Sequence, residues 1–203
     1  MTAAPGGARS GRPPILLWVL GASFVLLMAA ILIGALAKPE FPPYALSLAR
    51  PAPVGDSLVG PATYTLDASD GDRWQTFDFA RNALVADGPW DVAFRRFRLI
   101  AGPGAGVADL GAVPFDSVRE LPDTGYRANL AAADTVNPSV GKWYEYSMLT
   151  HLLTSKQHVY AVRTAAGHYA KLEVLAYYCK DVGTACVTFR YAYQGGGSRR
   201  VGK

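Results

Sequence analysis

The chain has 203 residues, of which 50% are apolar and 18% charged, with a formal net charge of +4 at pH 7. That balance excludes a disordered tail and a collagen-like repeat. Arg9, Arg12, Arg199, Arg200 and Lys203 place positive charge at the two ends, and the nearly neutral body lacks the basic patch that nucleic-acid binders use.

Residues 1–14 read as a basic tail. Ile15 to Ala37, "ILLWVLGASFVLLMAAILIGALA", then runs for 23 residues without a charge. As a helix it would reach about 35 Å at 1.5 Å per residue, against a hydrocarbon core of roughly 30 Å. Pro13 and Pro14 suit a helix start, and Lys38 with Pro39 a stop. Trp18 falls near one interface and Phe41 with Tyr44 near the other, where aromatic residues collect. Gly21, Ala22, Ala30 and Gly34 offer small residues against which a partner helix packs. The competing reading is a leader removed at "Ala35-Leu36-Ala37", but its apolar run exceeds the usual signal length of about 7–15 residues. Because Arg9 and Arg12 precede the span and no acid occurs before Glu40, the N-terminus is expected in the cytoplasm. The remainder is then expected in the periplasm of a bacterial inner membrane.

Residues 38–61 carry prolines at 39, 42, 43, 51, 53 and 61 and are expected to form an extended linker. Residues 62–194 alternate with period two, which predicts a mainly β, antiparallel domain. The strands are expected at 62–67, 73–79, 90–100, 142–149, 158–164, 168–178 and 186–193, the last three as a meander. In the final strand Val187, Phe189, Tyr191 and Tyr193 share the core face, opposite Thr188, Arg190 and Gln194. Residues 101–141, with "AGPGAG" at 101–106, read as loop, and 195–203 as a flexible basic tail. Cys179 and Cys186 flank the turn "KDVGTA". In an oxidising compartment they are expected to pair as a structural disulfide, since the C-x6-C spacing matches neither a redox nor a zinc motif.

The sequence shows no H-E-x-x-H, no G-x-S-x-G and only scattered acids, so an enzyme is not expected. Three blocks stand out: "WDVAFRRFRL" (90–99), "GKWYEY…VRTAAGHYAKLEVLAYY" (141–178) and "TFRYAYQ" (188–194). Together they resemble the HmuY-like family of bacterial exported proteins, over roughly residues 62–196. The resemblance implies a predominantly antiparallel β fold and a haem-binding lipoprotein relative that holds iron between two histidines. His151 with His158 or His168 would supply such a pair. The departure is the anchor, an apolar helix rather than a lipobox cysteine.

The expected role is therefore a non-enzymatic, single-pass accessory subunit of a larger membrane complex, without a cofactor of its own. Its partners would be integral membrane subunits and the bilayer, and the exposed aromatics Trp143, Tyr144 and Tyr146 would serve as contacts. The layout is similar to periplasmic-side subunits of bacterial photosynthetic reaction-centre complexes. The alternative is a membrane-tethered haem-binding protein with haem as its cofactor.

Overall fold

The computed structural model describes residues 14–37, 42–48, 58–131, 134–180 and 183–202. Arg9, Arg12, Phe41 and most of the linker expected over 38–61 lie outside these. The chain divides into two units. In the first, Ile15–Leu36 is one α-helix, α1, which passes the length and hydropathy tests for a membrane span. It exposes apolar side chains on all sides, Trp18 at 68% among them, as a helix solvated by lipid would. Loop Ser147–His151 belongs to the same unit.

The second unit is built from antiparallel strands β1 (Leu58–Asp67), β2 (Gln75–Asp78), β3 (Ala83–Leu84), β4 (Val92–Arg95), β5 (Arg98–Ala101), β6 (Gly106–Asp109), β7 (Tyr144–Tyr146), β8 (Leu153–Ser155), β9 (Val159–Arg163), β10 (Tyr169–Tyr178) and β11 (Thr184–Gln194). They form a five-stranded sheet, β1-β11-β10-β9-β6, a four-stranded sheet, β3-β2-β4-β5, and the pair β7-β8. The mainly β expectation holds. The period-two pattern of β11 also orients its core face correctly: Val187, Phe189, Tyr191 and Tyr193 all point into the main core. There Phe189 meets Phe94 at 5.0 Å and Phe77 at 5.1 Å, and Tyr191 meets Phe79 at 5.1 Å. Rings from one sheet thus interlock with rings from the other.

The opposite face of β9–β11 is buried too, where alternation alone predicts solvent. Thr188 is fully enclosed and shares a 2.9 Å hydroxyl contact with Thr65 of β1. Residues 110–121 cover this face, with Phe115, Leu121 and Val201 enclosed. Lys171 is 2% exposed and donates from Nζ to the Phe115 and Val118 carbonyls, both at 2.8 Å. Burial lowers its pKa, the Asp116 charge opposes the shift in part, and the Arg190 charge adds to it. Arg190 stands over the same Phe115 ring and is paired with Glu173 at 2.6 Å.

Several sequence expectations need correcting. The segment 90–100 is a hairpin, because Arg96 turns the chain in a left-handed conformation (φ 52°). "AGPGAG" leads directly into β6, which pairs with β9. The tail expected to be free over 195–203 docks instead: Leu121 donates to the Arg199 carbonyl, Val201 to that of Arg119, and Val201 is 1% exposed. Trp143 is not a surface aromatic. It is 1% exposed and its Nε1 donates to the Phe97 carbonyl at 2.9 Å, which gives the buried indole the acceptor it requires.

Candidate ligand-binding site

The three histidines sit in different settings. His158 precedes β9, and its Nδ1 lies 3.0 Å from both carboxylate oxygens of Asp109, at the end of β6. The β6–β9 register pairs Asp109 with Tyr160, which puts the carboxylate and the ring on one face of the sheet. A carboxylate only accepts, so the imidazole donates from Nδ1–H. Metal-ligating histidines are oriented in the same way. The Tyr160 ring lies 6.2 Å from that of His158. Its hydroxyl is buried without a hydrogen-bond partner among the described residues. Burial first, and the Asp109 charge second, raise this phenol above its ordinary range.

A pocket of about 440 Å³ opens beside Asp109, lined also by Ala108, Leu110, Pro122, Arg127 and Pro138. That volume is in the range of small-molecule sites. Arg127 is exposed and, among the described residues, forms no ion pair. The lining mixes apolar and polar residues, Thr124 and Ser139 among them, and Arg127 offers a cation to a ligand carboxylate; His158 adjoins this lining through Asp109.

His168 belongs to the tight turn between β9 and β10. Thr164 donates to its carbonyl, Gly167 takes the left-handed conformation (φ 81°), and His168 Nδ1 is 2.7 Å from the Tyr193 hydroxyl. Since Val159 faces Glu173 and Arg163 faces Tyr169, His158 and His168 stand at opposite ends of the hairpin. Six residues of strand separate them by roughly 20 Å, too far for both to reach one iron from opposite sides. These two therefore do not form a pair around one iron, and the pairs expected from sequence each involve His151 instead. His151 lies in the loop of the first unit, in a left-handed conformation (φ 57°).

The remaining singled-out residues fall as follows. Cys179 and Cys186 form a disulfide with Cα atoms 4.7 Å apart, across the end of the β10–β11 hairpin. Gly21 is open, with nothing within 4 Å of an added Cβ, and Ala30 is partly covered. Gly34 is buried. Tyr44 is partly buried in the second unit. Asp109, Tyr160 and Arg127 were not identified from sequence as site residues. The carboxylate lies 49 positions from its histidine, and no local spacing connects them.

No curated protein matches the chain. Several solved structures share its fold, three of them as follows. Apo PinO from Porphyromonas aligns with a TM-score of 0.58 at 16% identity, covering 68% of this chain and 97% of its own. A putative HmuY-like heme binding protein from Bacteroides vulgatus aligns with a TM-score of 0.57 at 20% identity, covering 68% and 96%. The apo HmuY analog from Tannerella forsythia aligns with a TM-score of 0.53 at 15% identity, covering 68% and 97%. Residues 70–191, more than half of the sequence, match the HmuY protein family, and the chain belongs to that family.

Proposed function

We propose that the chain is a membrane-tethered, non-enzymatic haem-binding protein whose β domain works on the periplasmic side of a bacterial inner membrane. The observation that carries this reading is the imidazole of His158, held at Nδ1 by Asp109, which itself lines a pocket together with Arg127, a side chain without an ion pair among the described residues. Family membership supports it, as does the related Bacteroides vulgatus structure described as a heme binding protein. His158 would hold the iron of a bound haem through its imidazole, and Arg127 would pair with a carboxylate of the ligand. Iron held in this way would supply tetrapyrrole capture rather than turnover. This replaces the cofactor-free expectation. The test is titration of the detergent-solubilised full chain with haemin. A sharpened, shifted Soret band is expected, lost in His158→Ala and kept in His168→Ala. Equal binding by wild type and His158→Ala would refute the assignment.

A second reading, the accessory subunit of a larger membrane complex, is favoured by α1 itself. Gly21, with nothing within 4 Å of an added Cβ, leaves an open notch on an apolar helix, the kind of surface on which another membrane helix packs closely. Gentle detergent extraction separates the readings: stoichiometric co-purifying membrane subunits support this one, and a free monomer opposes it.

A further inference from the structure

Loop Ser147–His151 is a hydrogen-bonded turn that exposes apolar side chains. His151 N–H donates to the Ser147 carbonyl at 2.8 Å, and Thr150 N–H to the Ser147 hydroxyl at 3.2 Å. The left-handed His151 ends the turn. Met148 is nevertheless 78% exposed and Leu149 54%. A turn closed by its own hydrogen bonds has no need to present two large apolar side chains to water.

The same unit contains α1, and Gly34 is the only residue of that helix buried in the structure. What buries it is Leu149. A Cβ built at Gly34 collides with the Leu149 carbonyl oxygen and lies 3.5 Å from Leu149 Cδ1. Gly34 stands two residues from the end of α1, about 3 Å along its axis. A 22-residue helix spans about 33 Å, close to the hydrocarbon thickness. Its final turn therefore sits at the boundary between acyl chains and headgroups, and the seated loop sits at the same depth.

We propose that Ser147–His151 is a second membrane contact, which carries Met148 and Leu149 into the headgroup boundary of the bilayer beside the C-terminal end of α1. Continuity with the span identifies lipid as the occupant, because the loop is seated where the helix leaves the membrane. Apolar side chains on a short turn partition there without needing to cross.

The inference rests on Ile15–Leu36 spanning the membrane, so insertion is measured separately, as resistance of the reconstituted full chain to carbonate extraction. Met148→Cys is then labelled with an environment-sensitive fluorophore, the disulfide being left oxidised, in phosphatidylcholine vesicles. Nitroxide placed high on the lipid acyl chain is expected to quench the label at least twofold, with aqueous iodide having little effect. Gly34→Leu, which removes the seat for Leu149, is expected to reverse that pattern while carbonate resistance persists. The proposal is overturned if iodide quenches the wild-type background and the lipid nitroxide does not. It is overturned equally if neither quencher reaches the label, which would mean that protein covers the loop.

Discussion

Replacing Asp91 by Asn should stabilise the protein at neutral pH and flatten part of its acid response. Asp91 is partly buried, and its Oδ2 accepts the Phe79 N–H at 2.9 Å. Loss of hydration pushes its carboxyl up to about 6 from 3.8, the Phe79 bond opposes the shift, and the charge of Asp78 adds to it. Below pH 3.8 the group is neutral in folded and unfolded chains alike. Between 3.8 and about 6 the folded chain holds a proton that the unfolded chain has lost, so this group's contribution falls as pH rises and levels off above 6. Two pK units correspond to at most about 3 kcal/mol. Residual solvent access reduces that to about 1–2 kcal/mol. Asn keeps the carbonyl acceptor for Phe79 and has no charge to desolvate. Urea unfolding of the full chain in detergent, followed through the buried Trp143, should give equal stabilities at pH 3.5 and a gap of about 1–2 kcal/mol in favour of the variant at pH 7. Parallel stability curves from pH 4 to 7, or a variant weaker at pH 7, would refute the reasoning.

Three further outcomes are expected. Asp109→Asn, which keeps an acceptor but removes the charge beside His158, should weaken haemin binding by about 10-fold in the Soret titration. Reducing the Cys179–Cys186 disulfide, a closed loop of separation 7, should cost about 2.5 kcal/mol in urea melts of the full chain. Truncation after Ser198 removes the enclosed Val201 and its bond to Arg119; a loss of about 2–3 kcal/mol is expected, and an unchanged midpoint would mean that the tail does not dock.

Local chemistry carried much of the architecture. An uncharged run such as Ile15–Ala37 has one economical conformation, because only a helix satisfies its backbone without water. Two cysteines astride a glycine-containing turn at the end of a strand pair are held close by the hairpin itself. The alternation of Val187, Phe189, Tyr191 and Tyr193 places those rings on one face whatever sheet they join. Each of these depends on neighbours within about ten positions, and so a linear reading reaches it.

The rest depends on partners distant in sequence. Short β6 and β8 exist because β9 and β7 offer edges to pair with, not because four or three residues have a strong preference of their own. Thr188, Lys171 and Arg190 read as polar and solvent-facing until residues 110–121 and Val201 fold over them. Trp143 looks like a contact aromatic until the Phe97 carbonyl, 46 positions away, receives its N–H. The site follows the same rule: three histidines are visible in the sequence, but the strand register alone brings Asp109 to His158 and sets His168 at the far end of the hairpin. Periodicity and composition encode which face a residue occupies; which groups meet across that face is decided by strand order and register, and these arise only when the whole chain packs.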